Sequence, residues 1–95
     1  MEVFTILLAQ PGLRIERIVS AGHATPPGEW LDQPHGEWVM VVEGAAALEL
    51  EGEAGLRRMN AGDYAWLPPR CRHRVAWTDA ERTTVWLAVH VGVDV

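Results

Sequence analysis

The sequence predicts an all-β protein, a single-domain jelly-roll barrel, from three observations. Short apolar runs with strand alternation recur along the chain, clusters of Gly, Pro, Asn and Asp separate them at regular spacing, and helical periodicity is nearly absent. Ninety-five residues suffice for one core, yet the buried fraction of so short a chain is modest, so support from a partner subunit is useful.

The elements follow in order. Residues 1–10, MEVFTILLAQ, read either as a short helix or as an extended arm, and Pro11-Gly12 makes a break. Residues 13–19 alternate as a strand. Residues 20–29 hold two glycines and two adjacent prolines, which fix backbone geometry and remove amide donors, so an ordered loop is expected. Strand character resumes near Trp30. Residues 37–42 are β-branched and aromatic, Glu43-Gly44 turns, and 45–51 completes a hairpin. After a turn at 52–55 come a short strand at 56–59, a turn at 60–63 and a strand at 64–67 that Pro68-Pro69 stops. From Arg72 onward, alternation sets His73, Val75 and Trp77 on one face, expected inside, and Arg72, Arg74 and Ala76 on the other. Residues 83–91 form the last strand, with Trp86, Ala88 and His90 on one side.

Composition narrows the function classes. With 48% hydrophobic residues, 22% charged residues and a net charge of -5, the chain suits a soluble globular domain and lacks the basic surplus that phosphate contacts need, so no nucleic-acid partner is expected. All eight basic residues are arginines, a bias to which no function is attached. The lone Cys71 cannot close an intramolecular disulfide. The apolar run 3–9 is too short to span a bilayer and lacks a basic leader, so no membrane partner is expected and cytoplasmic residence is the default.

Two glycine-delimited segments carry the candidate chemistry, DQPHGEWVMVVEG at 32–44 and GDYAWLPPRCRHRV at 62–75. Gln33, His35 and Glu37 alternate, so an unbroken strand would project all three to one face, although Pro34 interrupts pairing. His73 arriving from another strand would complete a mixed nitrogen and oxygen set suited to zinc, iron, manganese or nickel. Each residue has a plainer reading beside this one. Glu37 reads also as a solvated edge charge, His73 as a hydrogen-bonded core histidine, and His35 as a surface residue at the barrel mouth. His90 either lines a cavity or satisfies a backbone carbonyl, while His23 and Cys71 read as loop residues. Arg70, Arg72 and Arg74 form a basic stripe of the kind that is usually a solvated face. Trp30, Trp38, Trp66, Trp77 and Trp86 sit on separate strands and are expected in a narrow core, with Trp66 and Trp86 also candidates for a pocket wall.

The paired segments resemble the two signature motifs of the cupin superfamily, the first at about 28–44 and the second at 62–75, and the resemblance covers about two thirds of the chain. The first motif of that family presents two histidines separated by one residue, then a glutamate, then a glycine after the following strand. Glu37 and Gly44 match the glutamate and glycine, whereas Trp30 and Asp32, or Leu31 and Gln33, stand where the histidines would. In the second motif Gly62, Asp63, Pro68 and His73 match, with Arg70 in place of the usual glycine and Trp77 in place of the usual asparagine. The wider string is similar to short single-domain bacterial cupins. That resemblance implies a divalent metal held by Glu37 and His73 with Gln33 or His35, His90 on the last strand, and a homodimer.

Three functions follow as expectations. A metal-dependent enzyme, acting on a small organic acid, would hold the ion with Glu37, His73 and one or two of Gln33, His35 and His90. A non-catalytic module would keep the barrel and bind a small molecule in an aromatic and polar pocket. An interaction protein would use exposed strands to pair with a partner or a second copy.

Overall fold

The structure is a computed structural model that describes residues 2–94. Eight strands build it: β1 Glu2–Gln10, β2 Leu13–Ser20, β3 Gly36–Glu43, β4 Ala45–Leu50, β5 Arg57–Asn60, β6 Tyr64–Leu67, β7 His73–Thr78 and β8 Thr84–Val91. They form a five-stranded antiparallel sheet in the order β1-β2-β8-β3-β6 and a three-stranded one in the order β5-β4-β7. Among the described residues no helix is long and apolar enough to cross a membrane.

The first strand resolves the choice left open at the N-terminus. β1 pairs with β2 from Glu2 opposite Ser20 to Gln10 opposite Leu13, with one bulge near Leu7. Pro11 and Gly12 close this hairpin: Pro presets the first turn residue and Gly12, at φ 82°, takes the left-handed second position. The expected strand near Trp30 shrinks to a bridge, in which the amides of Leu31 and His73 each donate to the other's carbonyl at 2.7 and 3.1 Å. The 20–29 loop is ordered by β7. Thr25 N donates to Val75 O at 2.9 Å, its hydroxyl accepts from Val75 N at 3.0 Å, and Thr78 Oγ1 donates to His23 O at 2.7 Å.

The core lies between the sheets and is built from alternate residues: Val39 and Val41 of β3, Ala46, Leu48 and Leu50 of β4, and Trp86 and Ala88 of β8, among others. Cys71 packs against this cluster, so it is more than a loop residue. One expectation fails within β7. Leu48 pairs with Val75 but Ala47 pairs with Trp77, so Ala76 is an extra residue that reverses the parity of the strand. Thr78, 5% exposed, therefore points inward, and Trp77 points outward beneath the Arg58 guanidinium, 5.2 Å from its ring centre.

Two backbone positions pin the ends of β3. Gly44 has φ 86°, and a Cβ there would stand 2.6 Å from Thr84 Oγ1 and 2.8 Å from Thr84 Cα. At Gly36 a Cβ would collide with the Trp66 indole, which lies across that backbone on the outer face. Trp66 is 48% exposed, its neighbours Ala65 and Leu67 are buried, and so it is no part of an interior pocket wall.

Candidate functional site

A cavity of about 120 Å³ opens between the sheets. Its walls are apolar: Val39, Leu67 and Trp86 come from the large sheet, Leu48 and Val75 from the small one, and Phe4, Ile18 and Leu31 complete the rim. Three polar residues reach it, Glu2, Glu37 and His73.

Glu37 points inward because β3 begins at Gly36 and alternates from there, so Glu37, Val39 and Val41 share the buried face. The carboxylate is 8% exposed and accepts a hydrogen bond from Gln33 Nε2 at 2.9 Å. A carboxylate can only accept, so Gln33 turns its NH₂ rather than its carbonyl toward it. His73, 3% exposed, opens β7, and its Nδ1–H donates to Cys71 O at 2.9 Å. That bond leaves the lone pair of the neutral ring on Nε2.

The other predicted residues gather elsewhere. Gln33 and His35 precede β3, so their alternation with Glu37 does not place the three on one strand face. Gln33 reaches Glu37 from the chain that runs beside the 68–72 turn, where its carbonyl accepts from Arg70 N at 2.8 Å. His35 Nε2 lies 2.9 Å from His90 Nδ1, with the rings edge to face at 5.0 Å. His90 is 6% exposed, and its Nε2 stands 2.8 Å from Glu16 Oε1. Despite that closeness, the buried Nε2 makes no hydrogen bond of acceptable geometry. Glu16 Oε1 also accepts from Arg14 Nε at 3.1 Å. None of these four residues lines the cavity, although His90 stands opposite Glu37 across the β3–β8 ladder. Burial, then the nearby His90 and Arg14, push the His35 pKa below its ordinary 6.5, against the pull of Glu37 and Glu16.

As placed, the described side chains bring two candidate ligands to the cavity, one short of the usual protein set for a divalent ion. Of the candidate ligands only Glu37 and His73 line the cavity, and among the described residues no group of three or more His, Cys, Asp or Glu side chains is placed to hold a metal. A catalytic site keeps about three protein ligands. A glutamine whose amide N–H₂ is turned to the carboxylate does not supply the third.

Sequence reasoning missed Glu2, Phe4 and Glu16. The signal for Glu16 was present in LRIERIVS, where Arg14, Glu16 and Ile18 share a face, but nothing in that pattern tells which face is inward. Glu2 and Phe4 lie in a run without clear period and gain their place only by pairing with β2.

Residues 17–90 match the family described as Cupin domain. In solved structures the chain is similar to the "putative mannose-6-phosphate isomerase" of Ralstonia eutropha JMP134, at 55% identity and TM-score 0.95, covering 98% of this chain and 86% of that one. The DMSP lyase of Ruegeria pomeroyi DSS-3 is 21% identical at TM-score 0.79, covering 96% of this chain and 47% of that one. A cupin superfamily protein of Desulfitobacterium hafniense DCB-2 is 11% identical at TM-score 0.80, covering 98% and 79%. The last two show likeness of fold alone. No curated protein matches the chain.

Proposed function

Since the chain belongs to the cupin family, we propose that it is a small-ligand-binding cupin whose ligand sits in the barrel cavity between Glu37 and His73. The observation that carries this reading is an apolar cavity in which two buried polar side chains converge, the usual make-up of a small-molecule site. Both present acceptors, the Glu37 carboxylate and the His73 Nε2 lone pair, so they orient a ligand through its hydrogen-bond donors. Thermal-shift screening of tag-free protein against small organic molecules tests it, because binding to the native state alone raises the apparent Tm. A library that shifts neither the wild-type Tm nor its tryptophan fluorescence refutes the proposal.

A metal-dependent enzyme is the second reading, favoured by one observation: Glu37 and His73, the two motif residues at the family's ligand positions, line the same cavity. Elemental analysis after reconstitution with zinc, iron, manganese or nickel separates the two. Stoichiometric metal that is lost in His73→Ala supports this second reading, and no retained metal removes it.

We also propose a homodimer formed through the outer face of the five-stranded sheet. Val3 and Leu8 of β1, Tyr64 and Trp66 of β6 and Val91 of β8 are exposed there, at 44% or more. Strands about 4.8 Å apart give this face a span of roughly 20 Å by 25 Å, about 500 Å² on each partner, which reaches the lower bound of a specific interface.

A further inference from the structure

The charge of the cavity restricts its ligand further than its shape does. Two of the three polar residues that line it are carboxylates, and no arginine reaches it. Arg14, Arg57, Arg70, Arg72, Arg74 and Arg82 each lie against a carboxylate elsewhere. Arg58 covers Trp77 and Arg17 leaves the outer face of β2, while the chain has no lysine at all. An anionic ligand would enter a low-dielectric cavity with no arginine or lysine to receive it and two carboxylates to repel it. Small organic acids, expected from the sequence, do not suit this lining, nor does a phosphorylated sugar.

The lining favours the opposite charge. Glu37 is 8% exposed, and among the described residues Gln33 is its one side-chain hydrogen-bond partner and no arginine pairs with it. Burial and the neighbouring His90 and Arg14 lower the pKa of the nearby His35, which disfavours its cationic form. A buried carboxylate without a cation is costly, and a cationic ligand supplies what the chain does not. Trp86 and Phe4 add aromatic surface to the lining, and Glu2 is a second carboxylate, held by Ser20 Oγ at 2.8 Å. A cavity of about 120 Å³ is slightly smaller than an engineered apolar one of about 150 Å³ that accommodates benzene, so the enclosed part of the ligand has about five or six non-hydrogen atoms. A hexose phosphate is more than twice that size.

We propose that the cavity takes a small organic cation, an alkylammonium whose charged head meets the Glu37 carboxylate while its apolar body lies against Trp86. This rests on the reading of the barrel as a ligand-binding module and names the class of ligand.

The test uses three near-isosteric probes, isobutylammonium, isobutanol and isobutyrate, titrated by calorimetry into wild-type protein and Glu37→Gln, with folding of the variant verified by circular dichroism. The expected result is isobutylammonium bound about tenfold or more tightly than isobutanol, isobutyrate weakest, and the preference abolished in Glu37→Gln while isobutanol binding persists. In case Glu37→Gln does not fold, the order of the three probes on wild type decides, because they differ in charge and hardly in shape. Isobutyrate or isobutanol equal to or tighter than the ammonium, or a preference that survives the substitution, overturns the cationic class while leaving the ligand-binding reading in place. Binding of none of the three overturns this proposal, and the ligand-binding reading falls only if the broad thermal-shift screen is also negative.

Discussion

Arg70 is the only described residue other than glycine with positive φ, at 64°, and it stands where the second motif usually has a glycine. Left-handed backbone costs a side-chain-bearing residue about 1–2 kcal/mol, and its exposed contact with Asp32 at 3.5 Å returns little of that. Arg70→Gly is therefore expected to raise stability by about 0.5–1 kcal/mol in urea unfolding, allowing for the greater freedom of glycine in the unfolded chain; a loss of stability counts against strain at this position. His35 gives a pH effect of defined sign. Its folded pKa lies below the unfolded 6.5, so folding favours the neutral ring: the associated stability is complete above 6.5 and is lost as pH falls through the lower, folded value. His35→Gln should flatten the fall in stability between about pH 7 and pH 5. An unchanged slope would show that another group governs it. At this scale the sequence was informative about residue type but not about partner: Glu37 and His73 both line the cavity, whereas His35 turns to His90, because β3 starts only after Pro34 and the alternation that joined Gln33, His35 and Glu37 has no strand to act on.

At the scale of the element, β6 shows why some strands were legible to the residue. The Asn60-to-Asp63 turn precedes it, Pro68 cannot donate to a ladder beyond it, and the two bracket Tyr64–Leu67. β7 shows the opposite. One bulged residue inverts the inside and outside of all that follows, and no composition signal marks Ala76 as the extra one. The consequence is measurable, since Trp77 and Trp86 looked alike as core candidates. Trp86→Ala should cost about 3–5 kcal/mol as a core truncation, and Trp77→Ala about 1 kcal/mol as loss of a half-buried surface ring and its Arg58 contact. Equal losses would contradict the bulge. The turn between β3 and β4 is stricter still. Gly44→Ala adds a Cβ against Thr84 in a left-handed backbone, and a loss of at least about 2 kcal/mol in thermal or urea unfolding is expected.

For the whole molecule, the all-β barrel was legible because its turns are chemically explicit, and the apolar outer face was not, because alternation counts apolar residues without saying which side meets water. Exposed Val3, Leu8, Tyr64, Trp66 and Val91 on one sheet face argue for association, and light scattering at micromolar concentration should give twice the monomer mass. Trp66→Glu together with Leu8→Glu should return it to monomer. A wild-type protein that is monomeric throughout refutes the interface. β1, finally, has two roles at once: it is the free edge of the five-stranded sheet, and it carries Glu2 and Phe4 into the cavity rim. Any molecule resting on Phe4 holds that edge closed, so occupancy and fraying of the N-terminal hairpin are linked. Amide hydrogen exchange along Glu2–Gln10 thus becomes a reporter of cavity occupancy that needs neither a chromophore nor a known reaction.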